Sequence, residues 1–519
     1  MNHPKSQAEH SPLASPNILM ILVDEMRADA LGCFGNGMIK TPNLDRLAAA
    51  GVRFDQCMIP QPTCTPCRAA LLTGCFPSAL RSRMVGCVTP DDPRFLPRVL
   101  GNAGYSTASI GKIHLRPQGA EPHAVEESRG ADGVYDYYGF QYVDLVNGHG
   151  DHTFGPRYTP WLRKRVPDWE ERRKAAKRLG AIPDCRSWPF PLEVHSSEYI
   201  ADRSVEYLHQ AATRGAPFFL HCSFPDPHHP FTAPEPYASM YSPADMPPPL
   251  SAITESVNPP PPGLDAYAGK ATAYMRPDGA PVDRVIGTPP RPFHTYTEED
   301  YRVVRAITAG MVTHLDACIG RVLDALEASG QADNTLVVFA SDHGDYLGDY
   351  GLFGKGLHYD CVLRTPLLMR GSGLPRSREV NQMASLVDVA PTLYELIGLD
   401  EPEALQGFSM KPGLDNPAAW SRDAALTEND DDMAELRLRT LTTEYWKLTL
   451  YAGDSYGELY DRRRDPRERV NLWNDPAHAT VQAQLMHRLA DHMLCAIDGA
   501  NGRVQTPRPP IVKHKPKKR

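Results

Sequence analysis

NILMILV, residues Asn17–Val23, is a nearly continuous apolar run that ends at two acids, Asp24 and Glu25. Thr335–Ser341 (TLVVFAS) repeats the pattern and also ends at an acid, Asp342. Short apolar runs of this kind predict strands that are buried on both faces. Such strands are typical of parallel sheets covered by helices on either side. The two stretches therefore predict an α/β fold.

Further strands and helices alternate along the chain with these two runs. Thr41 is a predicted helix N-cap, with Pro42 at the first helical position and Gly51 just past the end. Thr297, followed by three acids, opens a long helix. The remaining predicted elements are strands at 105–110 and 217–223 and a short helix at 63–74. This alternation predicts a largely parallel sheet with helices on both faces.

Two segments interrupt the alternation, and the character of the chain changes near its end. Residues 117–190 are rich in Arg, Trp and Tyr, and residues 234–296 are rich in Pro. We interpret both as insertions that line a pocket or make subunit contacts. Paired antiparallel strands are predicted within 437–451 and a last helix at 478–497. The predicted division is a disordered start at 1–15, an α/β domain at 16–410, an α+β domain at 411–500 and a basic tail at 501–519.

Composition excludes some classes of protein. The chain has 519 residues, 41% of them hydrophobic, a net charge of −8 and a pI near 6.2, which disfavours nucleic-acid binding. The apolar run 18–23 is too short for a membrane span or a signal peptide, so we expect a cytoplasmic protein without a membrane partner. Eleven cysteines, an odd number, favour a reduced compartment. Seven of them are predicted to pack in the core: Cys33, Cys57, Cys75, Cys87, Cys222, Cys318 and Cys361.

Four predicted strands end in charged or imidazole side chains. The clusters are DE at 24–25, GKIH at 111–114, DPHH at 226–229 and DHGD at 342–345. The carboxyl ends of parallel strands share one edge of a sheet, where binding sites form. Carboxylates brought together there repel one another, and a divalent cation relieves the repulsion. Asp24, Glu25, Asp342 and His343 suit Ca²⁺, with Mn²⁺ or Mg²⁺ as alternatives; taken singly, each acid also fits a solvated helix cap.

The stretch CTPCR, residues 64–68, places Cys64 at the start of the predicted helix 63–74. The start of a helix favours an anion, and Arg68 lies one turn further on, so a nucleophile or anion site at Cys64 makes physical sense. Cys64 and Cys67 also fit a redox pair, half of a zinc site or two packed thiols. Those alternatives leave Arg68 and the acidic strand ends unexplained.

CTPCR followed by LTG at 72–74 resembles the signature of the sulfatases, Cys-x-Pro-Ser-Arg with a following Leu-Thr-Gly. Six further motifs resemble those of the family in the same order, over roughly 16–475. They are VDE at 23–25, TPNLDRL at 41–47, GY at 104–105 with GKIH at 111–114, PHHP at 227–230, SDHGD at 341–345 with GKG at 354–356, and GELYD at 457–461 with DP at 465–466 and NL at 471–472. The resemblance implies an alkaline-phosphatase-like fold and a metal-dependent sulfuric ester hydrolase.

In that family a maturation enzyme oxidises the signature cysteine to formylglycine before folding is complete. The resemblance thus implies that Cys64 becomes an aldehyde, whose hydrate carries the nucleophilic hydroxyl and, in a later step, expels sulfate. The implied metal ligands are Asp24, Glu25, residue 64, Asp342 and His343. The implied catalytic side chains are Arg68, Lys112 and Lys355 on the substrate oxygens, His228 as the acid for the leaving group (Lys355 second) and His114 as the final base. His229 and His358 are candidate substrate contacts.

The sequence departs from the common family pattern at three positions. Cys67 stands in place of Ser, Glu25 in place of Asp, and His343 where many arylsulfatases carry Asn. A His at the last position resembles phosphonate monoester hydrolases and choline sulfatases. The expected substrate is an aryl or small alkyl sulfate ester, with a phosphonate monoester or phosphodiester as the alternative and an inactive metal-containing binding homologue as a third possibility. We also expect a homo-oligomer.

Overall fold

A computed structural model describes residues 15–182, 184–250, 296–420, 422–431 and 436–497. The predicted disordered start, the basic tail and most of the segment 234–296 lie outside these residues. The strands are β1 (Asn17–Val23), β2 (Val52–Met58), β3 (Ser106–Gly111), β4 (Tyr142–Leu145), β5 (Phe218–Ser223), β6 (Thr335–Ser341), β7 (Leu367–Arg370), β8 (Arg378–Ser385), β9 (Ala424–Asp431), β10 (Leu436–Thr443), β11 (Trp446–Tyr451) and β12 (Gly457–Asp461).

Helices connect and cover these strands. The described helices are α1 (Pro42–Ala49), α2 (Cys64–Thr73), α3 (Pro77–Leu80), α4 (Leu96–Asn102), α5 (Glu121–Glu127), α6 (Tyr158–Arg165), α7 (Trp169–Lys174), α8 (Ser196–Ala211), α9 (Glu298–Ala328), α10 (Asp360–Leu363), α11 (Val389–Ile397), α12 (Lys411–Asp415) and α13 (Ala479–Ile497).

Eight strands form the central sheet, in the order β4-β3-β5-β1-β6-β7-β2-β8. Neighbouring strands run parallel except at β7, which pairs antiparallel with both β6 and β2. A separate four-stranded antiparallel sheet, β12-β11-β10-β9, follows near the end of the chain. The predicted fold class, a large and mostly parallel sheet with helices plus a smaller α+β part, is confirmed.

β1 lies at the centre of the sheet, and its apolar side chains explain why. Successive side chains of a strand point to opposite faces, so a strand that is apolar throughout needs a core on each side. The side chains that enter one core are Ile18, Met20 and Leu22, and those that enter the other are Leu19, Ile21 and Val23. The first core includes residues of α2, α4 and α11, and the second includes residues of α1, α8 and α9.

α9 is the longest described helix, and it begins as the sequence predicts. Thr297 and Asp300 form a reciprocal capping box at its start. By length and composition this helix could cross a membrane, but 83% of its most apolar stretch is buried inside the protein. That burial is typical of a core helix, and the helix packs along α8.

Several elements were not evident from the sequence. β2 (VRFDQCM) mixes charged with apolar residues, and β4 has only four residues. β4 pairs with β3 at the edge of the central sheet, so the segment 117–190 contributes to the sheet as well as to the surface. β4 was not predicted within this segment, because a strand of four residues at the edge of a sheet has too little periodicity to detect.

The eleven cysteines are all described, and none forms a disulfide. Four of the seven thiols predicted to pack in the core are buried, namely Cys57, Cys75, Cys222 and Cys318. Cys33, Cys87 and Cys361 are only partly buried.

Candidate active site

The four acidic and imidazole clusters meet at one edge of the sheet. β3, β5, β1 and β6 are adjacent and parallel, so the residues that follow them lie side by side. Gly111 ends β3 with a φ of 104°, and a Cβ atom there would lie 1.8 Å from the Ser223 carbonyl oxygen. Glycine is therefore required where the chain turns to present Lys112.

α2 aims its first turn at the same edge. Thr63 is extended before the helix, Cys64 is its first residue, and Gly74 ends it in a left-handed conformation. All residues of α2 are buried, and the Cys67 thiol donates to the Asp342 carbonyl oxygen at 2.8 Å. The helix thus places the Cys64 side chain, with the partial positive charge of the helix start, beside the strand ends.

Asp24, Cys64, Asp342 and His343, which we call the front cluster, bring four donor atoms together. The Cys64 Sγ atom lies 3.2 Å from His343 Nε2 and 3.6 Å from Asp24 Oδ1. His343 Nε2 lies 3.5 Å from Asp24 Oδ1 and 3.5 Å from Asp342 Oδ1. All four side chains are buried.

These separations fit a single divalent ion. Ligand atoms about 2.0–2.3 Å from one ion lie about 3.3–3.7 Å apart in a tetrahedral arrangement. His343 Nδ1 lies 3.0 Å from the Gly344 carbonyl oxygen, an arrangement that leaves the Nε2 lone pair for a metal. Burial lowers the pKa of His343, but Asp342 and Cys64 together outweigh burial and raise it to about 9. The acids thus attract a positive charge to this point, and the residues present fit a divalent metal ion.

Arg68 lies behind the front cluster. Its Nε atom donates to Asp342 Oδ2 at 2.8 Å, and its Nη1 atom donates to the Lys112 carbonyl oxygen and to the Ser223 hydroxyl. Nη2 has no hydrogen-bond partner among the described residues and lies 3.8 Å from Asp24 Oδ2. The guanidinium thus donates a hydrogen bond to Asp342 and lies close to Asp24, so its charge faces both acids.

Lys112 pairs with Asp24 and also lies next to His149. The Lys112 ammonium forms a buried ion pair with Asp24 Oδ2, and His149 Nε2 lies 2.8 Å from Lys112 Nζ and 3.2 Å from Asp24 Oδ2. The His149 ring stacks on His228, with centroids 3.6 Å apart and planes 11° apart. This stack fixes the orientation of the His228 imidazole.

Glu25 faces away from the front cluster, towards two histidines and a lysine. Its Oε2 atom lies 2.9 Å from His228 Nε2, 3.3 Å from His229 Nδ1 and 3.4 Å from Lys355 Nζ. Lys355 Nζ is also 2.9 Å from His228 Nε2. The predicted metal ligand Glu25 is therefore placed apart from the other four, although its Oε1 atom has no partner among the described residues.

Two predicted site histidines lie further back. The backbone N–H of His114 donates to Glu121 at 3.0 Å, and its buried Nδ1 atom has no partner among the described residues. His358 is fully buried, with Nδ1 2.6 Å from the Thr440 hydroxyl of β10. No described contact joins His358 to the front cluster. Its contact with Thr440 instead connects this part of the chain to the four-stranded sheet.

The charges around Cys64 favour an anion. Burial raises the pKa of the Cys64 thiol, and Asp24 adds to the increase, but Lys112, Lys355 and His343 outweigh both and lower the pKa. The pKa of Cys67 is instead raised well above its usual value by burial and by Asp342. The first cysteine of the pair is thus the one prepared for chemistry.

A family model described as Sulfatase matches residues 16–399, and a second, described as N-sulphoglucosamine sulphohydrolase, C-terminal, matches residues 348–494. The chain belongs to the sulfatase family. Sulfatases are hydrolases that act on sulfate esters and are generally metal-dependent with a formylglycine residue. The resemblance inferred from the motifs is confirmed.

Individual relatives cover nearly the whole chain. It is 27% identical to an arylsulfatase of Clostridium perfringens, over 88% of this chain and 90% of that protein. It is 30% identical to the multifunctional alkaline phosphatase superfamily protein PehA of Trinickia caryophylli, over 90% and 92%. The phosphonate monoester hydrolase of Agrobacterium radiobacter is 28% identical, covers 93% of this chain and 96% of its own, and superposes with a TM-score of 0.75.

His149 belongs to this sulfatase site, whereas its sequence left a pocket-lining residue and a plain loop equally open. It belongs to GHGDH at 148–152, a loop after β4 that no predicted strand end contains. Two glycines around a histidine are a weak signal, since plain loops share the pattern. Only the path of β4 along β3 shows that this loop reaches Lys112.

Proposed function

We propose that the chain hydrolyses aryl or small alkyl sulfate esters, with a formylglycine made from Cys64 by a maturation enzyme and one divalent metal ion. The observation that carries the proposal is the front cluster, where Cys64 Sγ lies 3.2 Å from His343 Nε2 and 3.6 Å from Asp24 Oδ1. A nucleophile at this point is adjacent to the metal ligands and to the start of α2.

The metal ligands in this proposal are Asp24, residue 64, Asp342 and His343. A bound divalent ion supplies positive charge and lowers the pKa of a coordinated hydroxyl group. One imidazole among the donors favours Mn²⁺ over Ca²⁺, since Ca²⁺ prefers oxygen ligands alone. Glu25, whose carboxylate faces His228 and Lys355, holds those two side chains in place instead of binding the ion directly.

Lys112 and Lys355 flank the position of the ester. Both are cations beside Cys64, and both lower the pKa of its thiol. In the proposed reaction they hold the oxygens of the transferred group and balance the negative charge that builds in the transition state. Arg68 acts one layer behind by fixing Asp24 and Asp342, with Nη2 as the remaining donor for a substrate oxygen.

His228 is the proposed acid for the leaving oxygen. Its Nδ1 atom is 2.5 Å from the His229 carbonyl oxygen, and its Nε2 atom is 2.9 Å from Lys355 Nζ. Lys355 can therefore return a proton to His228 through this contact. His114 remains the proposed base for release of sulfate, because its buried Nδ1 atom has no partner among the described residues.

A phosphonate monoester is the second candidate substrate. The relative with a TM-score of 0.75 is a phosphonate monoester hydrolase, and His343 resembles that branch. Sulfate esters and phosphonate monoesters both carry one negative charge and react by in-line displacement, so the same cations serve either one.

The test of this proposal has two readouts on protein co-expressed with a formylglycine-generating enzyme. The first is the mass of the tryptic peptide spanning residues 54–68, where we expect loss of the thiol and gain of an aldehyde at position 64. The second is kcat/KM on 4-nitrophenyl sulfate against a phosphonate monoester with the same leaving group. A higher value for the sulfate supports the main proposal, and a higher value for the phosphonate replaces it by the alternative. An intact thiol in a fully active sample would refute the formylglycine.

A further inference from the structure

A second group of metal-type ligands lies between α8 and α9, away from the front cluster. Glu198 is in the first turn of α8, and His314 and Cys318 are four residues apart on α9, hence on the same face of that helix. The side chain of His314 is 1% exposed and that of Glu198 is 17% exposed, and Cys318 is fully buried. We call these three residues the rear cluster.

The three donor atoms of the rear cluster surround one point. Glu198 Oε1 lies 2.8 Å from His314 Nε2, and Cys318 Sγ lies 3.5 Å from each of them. Zinc ligands about 2.0–2.1 Å (N, O) and 2.3 Å (S) from the ion lie about 3.3–3.5 Å apart in a tetrahedron. Both distances from the sulfur match this spacing, and the third needs only a small displacement of the Glu198 side chain.

Two neighbouring polar atoms lack a hydrogen-bond partner among the described residues. They are His195 Nε2 and Asp226 Oδ1, and both side chains are almost completely buried. A ligand atom of His195, one of Asp226 and one of His314 lie within 4.8 Å of one another. Buried polar atoms are normally paired, so unpaired atoms on two residues that border His314 point to a further group there. A water molecule in the fourth position of a metal ion is such a group.

The charge at the rear cluster also fits a cation. Arg321 binds Glu198 through Oε2 at 2.7 Å and leaves Oε1 for another partner. The sulfur, nitrogen and oxygen donors of the three side chains are those that zinc prefers.

We propose that the rear cluster binds one structural zinc ion through Glu198, His314 and Cys318. On binding, the Cys318 thiol releases its proton to solvent, and the thiolate and the Glu198 carboxylate together balance the charge of the ion. The ion ties α8 to α9. It also stiffens the turn after β5, where Asp226 precedes His228 and its carbonyl oxygen accepts from the Asp24 N–H at 3.1 Å.

The zinc content of a protein without the front cluster's metal tests the proposal. Asp342→Ala removes a ligand of the front cluster, and we expect about one zinc per chain to remain, measured by elemental mass spectrometry after dialysis. Adding Cys318→Ala should lower the content to background. Adding Cys222→Ala, a change at an equally buried thiol outside the cluster, should leave it unchanged. No zinc in Asp342→Ala, or zinc that survives Cys318→Ala, overturns the proposal.

Cobalt substitution gives a second readout that does not depend on Asp342→Ala folding. In Cys64→Ala protein the front cluster has no thiol, so a near-ultraviolet sulfur-to-cobalt charge-transfer band has to come from elsewhere. We expect this band in Cys64→Ala and its loss in Cys64→Ala with Cys318→Ala. The absence of the band in Cys64→Ala, or its persistence in the double variant, contradicts the assignment. Neither result bears on whether Cys64 is a formylglycine.

Discussion

The front cluster and the rear cluster combine the same kinds of side chain in opposite surroundings. Each places a carboxylate, an imidazole and a thiol within 3.6 Å of a neighbour. The front cluster lies at the ends of parallel strands, and the rear cluster lies on the facing sides of two helices. Cations lower the pKa of the Cys64 thiol, whereas burial and Glu198 raise that of the Cys318 thiol. The type of ligand is therefore a poor guide to reactivity.

The difference comes from what the fold places around each thiol. Strand ends leave their following residues at an open edge, where Lys112 and Lys355 can converge on Cys64. Helix faces pack against each other, and the described cation beside Cys318 is Arg321, already bound to Glu198. We therefore expect the front cluster to be reactive and the rear cluster to stabilise the fold. Variants of residues in or next to either cluster test whether this contrast holds.

The largest effect is expected from Asp342→Ala, which removes a ligand and the partner of Arg68. kcat/KM should fall by at least about 10³-fold, because a catalytic metal contributes several kcal/mol to transition-state stabilisation. Steady-state kinetics with circular dichroism should show loss of activity without loss of the fold. Asp316→Ala is the control, because Asp316 is a buried acid that accepts from the backbone of α1. It should lower Tm while kcat is kept; equal activity losses in both variants would contradict a special role for Asp342.

Removal of metal should abolish activity nearly as completely. Prolonged chelation should empty the front cluster, and added Mn²⁺ should restore turnover. Activity and metal content measured together over time give the order of release. Full turnover in a sample with no bound metal would refute the metal assignment.

Lys355→Ala should lower kcat by roughly 10²–10³-fold, the usual cost of removing one donor that stabilises transition-state charge. Lys355 contacts both Glu25 and His228, so its loss also leaves Glu25 with fewer partners. Lys411→Ala, which breaks a surface ion pair with Asp415, is the control and should leave kcat unchanged. A fall in both variants would point to general destabilisation.

His149→Ala should lower kcat by about tenfold, equivalent to about 1.4 kcal/mol of transition-state stabilisation. The reason is that His149 stacks on His228 and contacts the Asp24–Lys112 pair. His149→Phe keeps a ring for the stack and removes the polar contacts. A smaller loss in His149→Phe assigns the effect to stacking, equal losses assign it to the polar contacts, and wild-type kinetics in both would remove His149 from the site.

The smallest effect on catalysis is expected from Cys318→Ala. We expect unchanged kcat/KM and a lower Tm, because the rear cluster holds helices together and touches no substrate. Differential scanning calorimetry with and without added zinc is the measurement. Zinc should raise the Tm of the wild-type protein and not that of the variant. A large loss of kcat in Cys318→Ala would break the proposed contrast between the two clusters.

The sequence predicted the front cluster and the strands that carry it better than the rear cluster. β1 and β6 match their predicted bounds, because long apolar runs that end in acids give a strong signal. The helix start at Cys64 followed from Thr63, Pro66 and Gly74. The rear cluster was not foreseen: Cys318 was assigned to core packing, and its partner Glu198 is 120 positions away. Such a pair depends on how α8 and α9 pack, and no local pattern records that.

The direction of Glu25 was also beyond the sequence. An acid directly after Asp24 suggests a shared ion, but Glu25 has a φ of 70° and turns its carboxylate towards His228 and Lys355. A left-handed backbone conformation is rare at a glutamate, and no neighbouring residue in the sequence predicts it. Local sequence gives the order of side chains along an edge, while backbone angles decide which way each one points.

The burial of Cys64 limits the time in which an enzyme can modify it. In the folded protein this side chain is 2% exposed, so a modifying enzyme has to act before the strand ends close around it. His343, which completes that enclosure, is made 279 positions after Cys64. At translation rates of about 5–20 residues per second, roughly 15–55 seconds pass between the synthesis of Cys64 and that of His343. Slowing synthesis between the two positions should raise the modified fraction, and faster synthesis should lower it.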